Sequence, residues 1–269
     1  MVELVKSNFG IRDEIAAYWS ARAATFDEQP GHEIFSEPER RAWHALIHRH
    51  LGDGAGRTAL DLATGTGVIA HLLDDLGFRV TGLDWSEAML DRAKAKAAAR
   101  GRPIRFLHGD AEATMLPDAA CEVIVTRHLV WTLVDPPAAF REWRRVLTPG
   151  GTLLIVDGDF VTPTVVARLA TLLVRLKGAL LRRPAAGAVK AEMQRTHQDI
   201  LSRLPFAHGA RAGEIAALLK DAGFGDIVID EDLGAIHRAQ ARHMHLSKGL
   251  ERMLQHRYAI RASAPLGPR

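Results

Sequence analysis

Residues 59–70 read ALDLATGTGVIA, a short apolar run that passes directly into a glycine-rich turn and then into a helical pattern. Glycines allow positive φ and close approach of a ligand to the backbone, and the helix start carries N–H groups with no partner inside the helix. The same rhythm recurs downstream. Apolar runs at 58–63, 79–83, 104–107, 122–126 and 152–157 alternate with helical patterns at 68–76, 86–100 and 137–147. Alternation of this kind predicts right-handed crossovers and a parallel sheet covered on both faces, with function at the carboxyl ends of the strands. The strands are nearly continuous apolar runs, as doubly covered strands should be.

Further runs at 226–230 and 258–262 bring the expected strands to seven. The expected fold class is therefore α/β, a doubly wound Rossmann-like sheet that is mostly parallel. Helical patterns at 11–29 and 38–51 precede the first strand, and those at 164–181 and 190–204 follow the fifth. Two more, at 213–222 and 239–255, flank the sixth strand. The chain reads as a single domain over 1–269. Residues 1–51 form an N-terminal helical cap, 58–159 a core, 160–210 a helical insertion and 211–269 the C-terminal part of the sheet. Pro149-Gly150-Gly151 reads as a turn before the fifth strand.

Composition removes several classes. With 47% hydrophobic and 25% charged residues the chain is of ordinary globular type, so disorder and fibrous folds are out. Thirty-five Lys and Arg against 32 Asp and Glu leave +3, with no basic run interleaved with aromatics, so no nucleic-acid partner is expected. The single cysteine, Cys121, forbids an intrachain disulfide and suits a reducing cytoplasm. No signal-peptide core is visible, and no uninterrupted apolar run reaches the ~18 residues of a membrane span. The expectation is a cytoplasmic protein without a stable membrane anchor, with homodimerisation left open. Among the 13 histidines, His44 and His48 share a helix face without an acid or a third ligand, and His243 and His245 fall on different faces, so no metal site is expected.

Two ligands use a glycine turn such as this one. A dinucleotide places its pyrophosphate on the helix N-terminus, and Gly65-Thr66-Gly67-Val68-Ile69-Ala70 fits G-x-G-x-x-A, with Asp84 nineteen residues beyond Gly65. S-adenosylmethionine (SAM) carries an ammonium, a carboxylate and a sulfonium instead, and so favours an acid near the turn. Asp61 lies inside the strand, four residues before Gly65. There a carboxylate would repel a pyrophosphate and suit a cation.

Four segments, ALDLATGTG, VTGLDWSEAML, FLHGDAEATMLPDAACEVIVTRHLVWTL and FREWRRVLTPGGTLLIVDGD, lie in order over about residues 58–159. In them the chain resembles the class I SAM-dependent methyltransferases, most of all the small-molecule branch of ubiquinone and menaquinone C-methyltransferases. AAYWSARAATFD resembles that branch's entry helix, and Ala63 stands where many members have a glycine. The resemblance implies that Asp61, Ala63, Gly65, Thr66 and Gly67 cradle the methionine end. Asp84 would bind both ribose hydroxyls, and Trp85 and Met89 would pack near the adenine. Gly109, Asp110 and Ala111 would meet the adenine edge, Thr126 and Arg127 would line the transfer site, and Tyr18 and Trp19 would close over the cofactor.

On the acceptor side, His128 is the candidate general base, and Trp131 and Phe160 are candidate walls. Asp157 and Asp159 would attract a cationic acceptor, whereas Arg127 would pair with an acidic one, so charge along the sequence does not choose the substrate. The helical pattern from Thr164 to Arg183, with its exit at 183–187, reads as a lid over the acceptor or as a membrane-touching face. The expected function is methyl transfer from SAM to a small molecule by in-line displacement, releasing S-adenosylhomocysteine (SAH). The alternatives are an NAD(P)-dependent oxidoreductase and a SAM-binding protein without turnover.

Overall fold

The computed structural model describes residues 10–161 and 188–267. Seven strands form one sheet: β1 (Thr58–Leu62), β2 (Arg79–Asp84), β3 (Arg105–His108), β4 (Cys121–Arg127), β5 (Leu147–Gly158), β6 (Gly225–Asp230) and β7 (Arg257–Ser263). Their order is β3-β2-β1-β4-β5-β7-β6. β1 to β5 are parallel, and β7 runs antiparallel to both of its neighbours. The chain builds outward from β1 to β3 and then returns to β4 on the other side. This reversal opens a crevice at the carboxyl ends of β1 and β4.

The period of two along the central strands explains the two covered faces. On β4, Val123 and Val125 face one core and Ile124 the other; on β5, Leu154 and Val156 oppose Leu153 and Ile155. The first core receives Trp43 and Ile47 from α2 (Glu37–Leu51) and Leu72 and Leu73 from α3 (Val68–Asp75). The second receives Phe140 and Trp143 from α5 (Pro136–Val146) and Ile215 and Leu219 from α7 (Ala212–Asp221). Each large apolar side chain buried in this way contributes about 1.5–3 kcal/mol.

Side-chain caps set the helix starts. The Ser36 hydroxyl accepts the Glu39 N–H at the head of α2. Ser86 accepts the Met89 N–H at the head of α4 (Glu87–Ala99). Asp135 accepts the Ala138 N–H ahead of the Pro136-Pro137 start of α5.

Three boundaries differ from the expectation. The helix expected over 11–29 ends early, as α1 (Ile11–Arg22), and Ala23–Glu28 tighten into a 3-10 turn. Tertiary bonds hold that turn: Thr66 Oγ1 donates to Asp27 (2.6 Å), and the Arg92 guanidinium donates to the Ala24 carbonyl (2.7 Å). The helix expected over 239–255 is two short ones, α8 (Gly234–Ala241) and α9 (Leu246–Met253). They fold against each other where Gly249 meets the Ala241 carbonyl. The turn expected at 149–151 is an irregularity inside β5, where Leu147 pairs with Cys121 and Thr152 with Val123. Of the two inserted helices, α6 (Ala188–Ser202) is present. The segment read as a lid or membrane face, 164–183, and its exit at 183–187 lie outside the described residues.

Beneath the sheet's amino edge, Gly54 packs directly on the backbone after α3. Its N–H donates to the Leu76 carbonyl (2.8 Å), and a Cβ there would lie 2.3 Å from Gly77 C and Phe78 N. Gly54→Ala should therefore lower the unfolding free energy by about 1–3 kcal/mol, read as a drop in the urea midpoint. An unchanged midpoint would refute this close contact.

Candidate functional site

A cavity of about 1300 Å3 lies at the crevice, lined by residues that follow β1, β2, β3 and β4 and by the 3-10 turn, α6, α9 and the start of β7. It exceeds the roughly 300–1,000 Å3 of an ordinary small-ligand pocket.

The turn after β1 is held in an unusual conformation. Ala63, Gly65 and Gly67 have φ of +54°, +54° and +85°. Ala63 bears this left-handed geometry without glycine's freedom, at a cost of about 1–2 kcal/mol. The turn is fixed from outside: the Thr64 N–H donates to the Leu83 carbonyl (3.0 Å), and Thr64 Oγ1 donates to Asp61 Oδ2 (2.5 Å). Asp84, at the end of β2, bridges two turns. One carboxylate oxygen accepts the Gly65 N–H (2.8 Å), and the other accepts the Ser86 N–H (2.9 Å).

Asp61 and Asp84 both line the cavity and are almost wholly buried. Burial pushes the Asp61 carboxyl up to about 7, against the Thr64 hydrogen bond and the field of Arg127. Burial also raises Asp84, opposed by the N–H groups of Ser86 and Gly65. Two of the turn's donors are already engaged, since Gly65 N–H donates to Asp84 and Gly67 N–H to the Thr64 carbonyl (2.9 Å). Two carboxylates beside a helix start suit a cationic ligand.

Most of the residues expected at a site converge on this cavity: Tyr18, Trp19, Asp61, Ala63, Gly65, Asp84, Trp85, Met89, Gly109, Asp110, Ala111, Arg127, His128, Trp131 and Phe160. Four lie elsewhere. Thr66 is turned to Asp27, and a Cβ on Gly67 would meet Ala93 of α4, so Gly67 serves helix packing. Thr126 donates to the Leu62 carbonyl between strands (3.0 Å). Asp157 accepts the N–H groups of Val130 (2.8 Å) and Gly158 (2.9 Å), which anchors the segment after β4 from behind.

That segment carries the acceptor-side residues. His128 has φ +59°; its N–H donates to the Val156 carbonyl (3.1 Å), and its own carbonyl accepts Trp131 Nε1 (2.9 Å). Its ring meets Phe160 edge-on at 5.2 Å. Burial, then the charges of Arg257 and Arg127, hold the imidazole well below its ordinary range. It is therefore neutral at pH 7 and carries a lone pair. Trp131 meets Trp19, Phe160 and His197 edge-on at 6.2, 5.8 and 5.5 Å, and Tyr18 stacks on His197 at 5.4 Å.

Sequence reasoning missed Phe26, His32, His197, Arg252 and Arg257. Phe26 and His32 stack at 4.2 Å beside the glycine turn, and burial followed by the charge of Arg127 takes His32 down to about 4. The break of the first helix places Phe26 there. Arg252 and Arg257 arrive because α9 folds back and β7 inserts antiparallel beside β5, pairing Arg257 with Gly158. The one available signal for Arg257 was its position directly before an apolar run.

Residues 60–155 match the methyltransferase domain family. Over 105 residues the chain is 40% identical to a demethylmenaquinone methyltransferase of Thermus thermophilus, covering 38% of this chain and 48% of that protein. It thus spans about half the length of that relative. A demethylmenaquinone methyltransferase of Paenarthrobacter aurescens is 28% identical over 87% of this chain and 88% of its own length. In fold, the chain is similar to phosphoethanolamine N-methyltransferase 2 of Haemonchus contortus, solved with phosphomonomethylethanolamine and SAH. The TM-score is 0.66 at 15% identity, over 96% of this chain and 61% of that one. Residues 60–155 thus match a methyltransferase domain by sequence, and the chain is similar in sequence to named demethylmenaquinone methyltransferases and in fold to a solved N-methyltransferase.

Proposed function

We propose that the chain is a SAM-dependent methyltransferase acting on a small molecule. The observation that carries this reading is the carboxylates Asp61 and Asp84 on the wall of one large cavity, beside a glycine turn in which the N–H groups of Gly65 and Gly67 are already engaged. SAM would supply an electrophilic methyl on a sulfonium. Asp61 would hold the ammonium end, Asp84 would accept the ribose hydroxyls through its remaining lone pairs, and Met89 and Ala111 would flank the adenine. Tyr18, Trp19 and Trp131 exclude water from the centre of the cavity. Methyl transfer disperses charge, so positioning and desolvation are the protein's main contribution.

His128 lies beside Phe160 and Trp131 and is neutral at pH 7, so its ring nitrogen is free to take a proton from the nucleophile. The burial and arginine charges that keep it neutral also weaken it as a base. The relatives are named for demethylmenaquinone, which makes a quinone ring the first acceptor class to assay.

Calorimetric titration with SAM, SAH and NAD tests the reading. Micromolar binding of SAM or SAH without NAD supports it, and NAD binding alone overturns it. The affinity for SAH should rise with pH toward about 7 and level off above. A bound ammonium favours the ionised form of Asp61, so binding expels its proton below that point, with at most about a tenfold gain per pH unit. A flat profile from pH 5.5 to 8 would remove Asp61 from the ammonium. Asp84→Ala should weaken SAH binding by about 1–3 kcal/mol through lost charge-assisted hydrogen bonds, and unchanged affinity in a folded variant would refute the ribose role. Against an acceptor that turns over, His128→Ala should lower kcat by about 10²–10⁴ with SAM affinity intact. Wild-type turnover would return His128 to shaping the pocket.

A further inference from the structure

Most of the charge in the cavity is sorted along the sheet, with Arg22 of α1 and Lys248 of α9 as the further cations on its wall. Of the carboxylates that line it, Asp61 and Asp84 lie in β1 and β2, and Asp110 and Glu112 follow β3. The arginines Arg127, Arg252 and Arg257 come from the end of β4, the end of α9 and the start of β7, on the opposite side. These three guanidiniums lie close together. Arg127 donates to the His32 carbonyl (3.1 Å), while Arg252 packs on the adjacent Gly31, whose added Cβ would come within 3.2 Å of both terminal nitrogens. Arg257 lies over the Phe160 ring at 5.4 Å, and that ring meets His128.

None of the three has a carboxylate within ion-pair distance among the described residues, whereas Arg12, Arg40, Arg49 and Arg102 on the surface all do. Nη1 of Arg127 and Nη1 of Arg252 are buried without a hydrogen-bond partner among the described residues. Glu39 of α2 is the carboxylate whose field reaches all three. Its oxygens, however, accept the Phe35 N–H (3.1 Å) and the Gln240 amide (2.8 Å). Burial and then the neighbouring arginines depress both Arg252 and Arg257. Buried donors left unpaired are costly, and a guanidinium fork matches carboxylate and phosphate oxygens. Asp157 and Asp159, the acids that would argue for a cationic acceptor, do not line the cavity and accept backbone N–H groups of Val130, Gly158 and Val161.

We propose that the acceptor is an anion, whose carboxylate or phosphate group is bound by Arg127, Arg252 and Arg257 beside the His128 ring. This rests on the methyltransferase reading for the word acceptor; the anion site itself stands on the arginines. One ligand would then lie on the acidic half of the cavity and the other on the basic half.

The test is calorimetry on the SAH-saturated protein with three probes of similar ring size: benzoate, phenyl phosphate and phenol. The expected result is that at least one anion binds tenfold or more tightly than phenol, the tighter of the two naming the head group. Arg252→Gln should erase most of that preference while SAH and phenol affinities stay within twofold. Equal affinity for phenol and both anions, no heat from either anion at millimolar concentration, or a preference that survives Arg252→Gln would each overturn the proposal. The wild-type comparison decides even if the variant does not fold. If SAH does not bind, the cofactor reading fails, and the same three titrations on the protein alone still decide the anion site.

Discussion

The two-pronged bridge made by Asp84 is the interaction on which the site's geometry depends. A carboxylate at the end of β2 joins the N–H of Gly65, in the turn after β1, to the N–H of Ser86, at the head of α4. It thereby fixes the separation of two turns from adjacent strands. Its burial is unfavourable for the charge, and the two backbone donors offset that penalty. Ser86, placed by the bridge, caps α4 and also meets the Ser20 hydroxyl of α1 (2.8 Å). One acid therefore sets the glycine turn, a helix start and the seat of the N-terminal helix.

The first helix and the 3-10 turn are bound to this frame by a set of polar contacts beside the buried Ile15. Asp27 of the 3-10 turn takes the Thr66 hydroxyl and an ion pair with Lys96 of α4 (3.2 Å), and Lys96 also pairs with Glu33 (2.7 Å). Arg12 of α1 reaches Glu112 (2.7 Å), whose two oxygens also take the N–H groups of Val134 and Asp135. Thr66 looked like a ligand contact in the linear motif, yet its structural task is to tie the cap to the turn. A cap held in this way closes one wall of the cavity while its inner side presents Trp19 and Phe26.

The alternation of strands and helices was legible because period-two and period-3.6 patterns follow directly from side-chain geometry. The first five strands, the helix starts at Ser86 and before Pro137, and the convergence of Asp61, Asp84 and His128 at strand ends all follow from local pattern and parallel topology. What was not legible depends on contacts distant in sequence. The first helix stops at Arg22 because Asp27 and Ala24 are claimed by Thr66 and Arg92, partners dozens of residues away. Nothing local marks Arg252 as a wall residue, and Arg257 is marked only by its place before an apolar run. They reach the cavity through the insertion of β7 between β5 and β6, a step that no window of sequence contains.

That insertion also explains why the cavity has two electrostatic halves. A parallel sheet presents only strand ends at its functional edge, and at or just beside the ends of β1, β2 and β3 stand the acids Asp61, Asp84 and Asp110. The antiparallel β7 presents its beginning there instead, so Arg257 stands beside the end of β5, paired in register with Gly158. Reversing one strand brings residues to the carboxyl edge from a different point in the chain and lets their charge be chosen independently of the glycine turn. A cation held at Asp61 and Asp84 and an anion held at the arginines would each be attracted to its own half and repelled by the other. The field of the empty cavity would thus orient both molecules before they touch, leaving the neutral His128 at the boundary where the reacting atoms must meet.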